Sequence, residues 1–143
     1  MIDASVPRMT ESAWKLGACH CGRVRFRVRP TNQLALDCNC SICTKKGFLH
    51  LIVDAENFDL LSGAESLETY TFNTGTAKHH FCRHCGVHPF YVPRSHPDGF
   101  DVNLRCLDPA DIETFTIEPF DGQNWEANVE QIRDPGSART APT

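Results

Sequence analysis

No stretch of this chain is apolar enough to cross a membrane as a helix. The longest apolar run, Phe48 to Val53, is short and broken by His50, whereas a bilayer needs about 20 such residues. Basic charge is not in excess either. Fourteen Lys and Arg stand against 18 Asp and Glu, for a net charge of −4 and a pI near 5.9, which speaks against a nucleic-acid partner. The first eight residues hold no apolar segment of the kind that opens a secretory leader, so a cytoplasmic location is expected. The H-E-x-x-H, G-x-S-x-G, phosphate-loop and G-x-G-x-x-G patterns are all missing, which sets aside the chemistries they carry. Sustained 3.6-residue periodicity is scarce and strand signals dominate. The expected fold class is therefore mainly β: one domain of short antiparallel sheets with little helix.

What the chain has in quantity is cysteine, eight in 143 residues. A disulfide framework would need an oxidising compartment, and two cysteines one residue apart bridge poorly to each other. Metal binding is the better reading, because thiolates are soft ligands and short-spaced pairs let one chain enclose one ion. With 41% hydrophobic residues and a mean hydropathy of −0.34, metal crosslinks would assist a modest core.

Along the chain, residues 1–11 read as an arm, 12–133 as the domain and 134–143, rich in Pro, Gly, Ala and Thr, as a tail. Short strands are expected at 12–18, 23–29, 48–53, 57–61, 67–72 and 78–81. Further ones fall at 89–92, 100–104 and 114–120. Leu34 to Leu36 leads straight into the densest cysteine cluster, and Lys45-Lys46-Gly47 reads as a turn after it. Residues 89–92 and 100–104 should pair as a hairpin across Pro97-Asp98-Gly99. Asp108 could cap a short helical turn, and 124–132 could form a short helix. In 23–29, Val24, Phe26 and Val28 fall on one face and four arginines on the other. That arginine face reads as a solvated strand surface, since no aromatic residue is interleaved in it.

The cysteines fall into three motifs. Cys19-His20-Cys21-Gly22 and Cys82-Arg83-His84-Cys85-Gly86 are two-ligand turns closed by glycine, which allows positive φ and brings backbone N–H groups to the sulfurs. Together they supply four ligands and one closed, structural zinc site. Cys38-Asn39-Cys40-Ser41-Ile42-Cys43 supplies three thiolates and leaves a coordination position open, the pattern of a catalytic zinc. The opposite pairing, Cys40 and Cys43 with Cys19 and Cys21, ranks second because it strands Cys38. Cys106, read as lying in a strand, could close the second site or be an ordinary buried thiol. His50 could approach the triplet or be a satisfied core histidine. His79 and His80 are adjacent, so only one can face inward, and His50 or His80 are candidate bases. Lys45, Lys46, Arg94 and Arg105 are candidates to grip a substrate carboxylate.

These motifs, in this order, resemble the glutathione-dependent formaldehyde-activating enzyme family, over residues 12–127. The run Tyr91 to Phe100 resembles the branch that includes centromere protein V. The resemblance implies a β-tent fold and two zinc ions per chain. Cys19, Cys21, Cys82 and Cys85 would hold the structural ion, and Cys38, Cys40 and Cys43 the catalytic one, a site that can be partly empty. It implies carbon–sulfur lyase activity on a thiol–aldehyde adduct such as S-hydroxymethylglutathione, with a small-molecule thiol as partner. Asn39 occupies a position that is often His in the family, and it is not a ligand position. The alternative is a non-catalytic zinc scaffold or protein-interaction module, whose second site would be closed by Cys106 or a histidine.

Overall fold

The alternation of Val24, Phe26 and Val28 is realised with all three side chains fully buried, Phe26 and Val28 on a strand and Val24 just before it. A computed structural model describes residues 14–129 and contains ten strands in two sheets. The small sheet has the order β1 (Lys15–Ala18), β2 (Arg25–Val28) and β5 (Phe58–Ser62). The large sheet contains β3 (Leu34–Cys38), β4 (Leu49–Asp54), β6 (Leu67–Tyr70), β7 (Lys78–Cys82), β8 (Phe90–Val92), β9 (Gly99–Asn103) and β10 (Thr116–Phe120). Its order is β10-β3-β4-β9-β8-β7-β6. Residues 1–13 and 130–143, and with them the expected arm, the tail and the first residues of the first strand, lie outside the described residues.

The core lies between the sheets. Phe26 and Phe58 from the small sheet meet Leu51, Val53, Phe90 and Val102 from the large one. Phe58 stacks at 4.4 Å on Phe100 and lies 4.7 Å from Phe90. Burying a phenylalanine such as Phe26 stabilises by about 2–3 kcal/mol.

Period-two alternation on β4 sends Leu49, Leu51 and Val53 into this core and leaves His50 and Ile52 for the other face. The ladder registers then line up His79, Tyr91, Asp101 and Ile52 as one row across β7, β8, β9 and β4. That outer row becomes one wall of the site described below.

Three expectations are corrected. The sheets are not wholly antiparallel, because β10 pairs with β3 in parallel, with Phe120 opposite Cys38. Lys45-Lys46 is not a turn but the end of a helix, α1 (Ser41–Lys46), capped at Gly47. The run is too short for periodicity to show. Cys106 closes a 3-10 turn, Leu104–Cys106, rather than lying in a strand, because β9 ends at Asn103, whose side chain accepts a hydrogen bond from the Arg105 N–H.

The hairpin of β8 and β9 is present. So is the short helix α2 (Pro109–Ile112), with Asp108 Oδ1 accepting from Ala110 N–H at 2.9 Å. A third helix, α3 (Trp125–Asn128), falls where the last one is expected. The arginine face is solvated in part: Arg23 and Arg25 are exposed, while Arg27 and Arg29 are half-buried and paired. Arg27 Nε donates to Asp59 at 2.6 Å and Arg29 Nε to Asn57 at 2.8 Å. The Trp14 ring, just before β1, covers both guanidinium groups at 4.0 and 4.7 Å, a cation–π contact that no interleaved aromatic foretold.

Candidate metal centre

Seven of the eight cysteines gather into two groups, and the grouping follows the three motifs. Cys19, Cys21, Cys82 and Cys85 place all four sulfurs within 4.8 Å of one another, and Cys38, Cys40 and Cys43 do the same with three.

The four-cysteine group is built from two matching turns. Cys19 N–H donates to Val24 O and Cys82 N–H to Val87 O, both at 3.0 Å. Gly22 and Gly86 take φ of 83° and 78°, the left-handed conformation that glycine adopts without strain. The 3.7 Å separations of Cys19 and Cys82 from Cys21 match the edge of about 3.8 Å of a tetrahedron with Zn–S bonds of about 2.3 Å. Val24 N–H points at Cys19 Sγ. The Cys21 thiol is drawn down to about 6, first by the backbone N–H of Arg23 and then by its guanidinium. Both effects favour the thiolate that a metal needs. Cys106 lies beside this group, not the triplet. Its Sγ approaches His88 O at 4.0 Å, and burial, then the nearby Cys19 and Cys85, push its thiol up to about 12.

The triplet straddles a strand end and a helix start. Cys38 ends β3, Cys40 is the N-cap of α1 with its sulfur accepting from Cys43 N–H at 3.5 Å, and Cys43 is buried in the first turn. The three thiols compete for charge. Cys40 is drawn far down, first by a hydrogen bond from Cys38 and then by one from Cys43. Cys38 is pushed up to about 11, chiefly by Cys40, and Cys43 is pushed up by Cys38 and then Cys40. Three sulfurs that compete for charge in this way suit a divalent cation, which would stabilise all three as thiolates. Among the described residues, no other His, Cys, Asp or Glu brings a donor atom within 4.8 Å of all three sulfurs.

Parallel pairing of β10 with β3 delivers a second segment to this place. Both strands end on the same side, so the residues after Phe120 run beside Cys38 to Cys40. Asn39 ties that segment down. Its N–H donates to Phe120 O at 3.2 Å, its Nδ2 donates to Asp121 Oδ1 at 3.2 Å, and its Oδ1 accepts from Gln123 N–H at 2.9 Å. Gly122 then sits so close that a Cβ there would lie 2.3 Å from Cys38 Sγ and 3.0 Å from Cys40 Cβ. Gly122→Ala is therefore expected to lower the affinity of the triplet for a divalent ion by 10-fold or more while the four-cysteine group keeps its ion. Two-phase metal release followed with a chromogenic chelator checks this, and unchanged release of both ions would contradict it.

The triplet opens into a cavity of about 470 Å³ that Cys38, Cys40, Cys43, His50, Tyr91, Asp101, Phe120 and Gln123 help to line. That volume lies within the ~300–1,000 Å³ range of small-molecule sites. His50 does reach the triplet, with Nε2 3.1 Å from Cys43 Sγ. Of the adjacent histidines, His79 faces the cavity and stacks on Tyr91 at 4.6 Å, while His80 turns away to Thr69 Oγ1 at 2.9 Å. Arg94 lines the cavity and lies 3.9 Å from Glu126. Lys45 and Arg105 are exposed and do not line it. Lys46 turns inward. Its Nζ lies 3.2 Å from His79 Nδ1 and 4.4 Å from the Phe48 and Tyr91 rings, which binds α1 to the large sheet. Burial brings its ammonium down to about 8. Burial, and after it the charge of Lys46, bring His79 down to about 4.

Asp101, Tyr91 and Gly122 were not singled out from the sequence. Alternation within 99–103 could have put Asp101 on the face opposite Val102. Nothing in one sequence says that this face meets the cysteines.

The sequence profile described as glutathione-dependent formaldehyde-activating enzyme matches residues 15–121. The chain belongs to this family. A Halomonas elongata protein, provisionally named a glutathione-dependent formaldehyde-activating enzyme, is 34% identical over 97 residues, covering 52% of this chain and 61% of the relative. The match thus spans about three fifths of that relative's length. The crystal structure of a Rhodobacter sphaeroides protein superposes with a TM-score of 0.64 at 34% identity, covering 73% of this chain and 99% of that one. The mainly β, single-domain architecture expected from the sequence is the one observed. No helix among the described residues is long and apolar enough to cross a membrane.

Proposed function

We propose that this protein is a zinc-dependent carbon–sulfur lyase that makes and breaks the adduct of a small thiol with an aldehyde, S-hydroxymethylglutathione being the type substrate. The observation that carries this reading is the three-sulfur group, one ligand short, at a cavity of small-molecule size. Cys19, Cys21, Cys82 and Cys85 would hold a structural ion and Cys38, Cys40 and Cys43 a second, giving two zinc ions per chain. The catalytic unit is the domain at 12–133, flanked by the arm and tail and working in the cytoplasm, without a nucleic-acid partner.

Zinc at the triplet would supply a Lewis acid that favours the deprotonated thiol and polarises the aldehyde carbonyl. In the forward direction the thiol sulfur forms a bond to the carbonyl carbon, the thiol proton leaves, and the former carbonyl oxygen gains one. The reverse step breaks the same bond. The protein's own contribution is placement. Asn39 and Gly122 fix the wall beside Cys38 and Cys40. Tyr91, Ile52 and Phe120 line the cavity with apolar surface that displaces water. Arg94 stands where a carboxylate of the thiol carrier could be met by a planar guanidinium.

Exchange between hydroxymethylglutathione and free formaldehyde with glutathione, followed by two-dimensional NMR, tests the reading. The two-zinc protein should accelerate exchange. Mild chelation should remove the triplet ion first and abolish the acceleration with the far-UV circular dichroism unchanged. A fully loaded protein that leaves the exchange of this and related adducts at the uncatalysed rate would instead be a non-catalytic zinc module.

A further inference from the structure

Asp101 is the only buried carboxylate among the described residues, 1% exposed in the middle of β9. A carboxylate there is costly unless it is paired, and apolar replacements of such groups are often neutral or stabilising. Packing therefore does not explain it. What Asp101 does is hold His50. Its Oδ2 lies 2.5 Å from Nδ1, and the ring, 5% exposed, is wedged between Phe48 at 4.9 Å and Tyr91 at 5.8 Å. The Tyr91 hydroxyl adds a contact to Nδ1 at 3.4 Å. With one ring nitrogen fixed, the other is aimed, and Nε2 lies 3.1 Å from Cys43 Sγ.

A metal-held thiolate and a carboxylate both only accept hydrogen bonds, so the ring between them donates from both nitrogens, Nδ1–H to Asp101 and Nε2–H to the Cys43 sulfur. We propose that His50, held by Asp101, is a positioning residue that donates a hydrogen bond to the Cys43 sulfur and so limits how much charge that sulfur passes to the ion at the triplet. This rests on the triplet holding an ion, as in the function proposed above. A sulfur that shares its lone pair with an N–H donates less to the metal, which leaves the ion a stronger Lewis acid. Partners beyond the ligand shell of this kind commonly change affinity or activity 10- to 100-fold.

The test uses the full chain loaded with cobalt(II), whose sulfur-to-cobalt charge-transfer bands report the donor strength of each thiolate. His50→Phe keeps a ring against Phe48 and Tyr91 but has no N–H. The bands should move to longer wavelength, and kcat for adduct exchange should fall 10- to 100-fold with KM little changed. His50→Gln restores an N–H and should return the bands toward the native position. Asp101→Asn keeps the shape and loses the charge, and should fall between. If His50→Phe does not fold, Asp101→Asn alone decides. Native bands in His50→Phe and Asp101→Asn, each with two cobalt ions per chain, overturn the inference and leave the proposed function standing. A native protein that binds one cobalt, at the four-cysteine group alone, overturns both.

Discussion

Cys82→Ser is expected to leave a chain that no longer holds its fold at room temperature. Cys82 is 0% exposed and ends β7 in the large sheet, while its partners Cys19 and Cys21 follow β1 in the small one. An ion held by all four sulfurs staples one sheet to the other across 61 residues of chain. Structural zinc contributes about 10–16 kcal/mol in small zinc domains, against a total stability of about 5–15 kcal/mol for an ordinary domain. Losing one of four ligands, and leaving a hydroxyl in a dry site, should remove most of that contribution. Urea unfolding with metal analysis of each variant measures it, and Cys106→Ser, a cysteine beside the group but outside it, is the control. An unchanged midpoint for Cys82→Ser with its metal retained would refute the structural role.

Cys40→Ser should do the opposite, keeping the fold and losing the chemistry. Cys40 lies outside the hydrophobic core and caps α1 through its side chain. Serine is among the preferred residues at that position, so helix and stability should survive. The triplet, with two thiolates left, should release its ion, and metal content should fall from two per chain to one. A Lewis acid supplies several kcal/mol to reactions of this class. Exchange of the hydroxymethyl adduct should then slow by about 10³-fold. Native exchange rates from Cys40→Ser holding one ion per chain would place the chemistry elsewhere.

Much of the site could be read in the sequence, for reasons of local geometry. Cys19-x-Cys21-Gly22 and Cys82-x-x-Cys85-Gly86 are each closed by a turn a few residues long, so spacing and glycine placement carry their structure. The sorting of seven cysteines into four and three follows, because four ligands complete a tetrahedron and three do not. Strands β1, β2 and β6 were legible from period-two alternation and most of the others as short β-rich runs, whereas β3 was not, because Leu34 to Leu36 is too short to show a pattern. Less local features were not. Helix α1 is too short to show periodicity, and its N-cap is a cysteine, a residue with little capping preference. His50 was ambiguous because one buried histidine in an apolar strand looks the same whether it meets a ligand or only packs. Of the four cations considered for a substrate carboxylate, Arg94 alone lines the cavity, and Lys46 turned inward against aromatic rings. Such side chains are long and flexible, and their direction depends on neighbours far away in the chain.

The sequence by itself determined which sulfurs gather as candidate metal ligands and how many each group supplies, because sulfur chemistry and turn geometry act over a few residues. Only the tertiary structure decided what surrounds them. The parallel pairing of β10 with β3 brings Gly122 against Cys38, and the register of β4 with β9 carries Asp101 to His50. The first rests on ladder partners 82 positions apart and the second on partners 45 to 53 positions apart. No local pattern encodes such contacts, because they are selected by the burial of a core that forms only when both sheets are present.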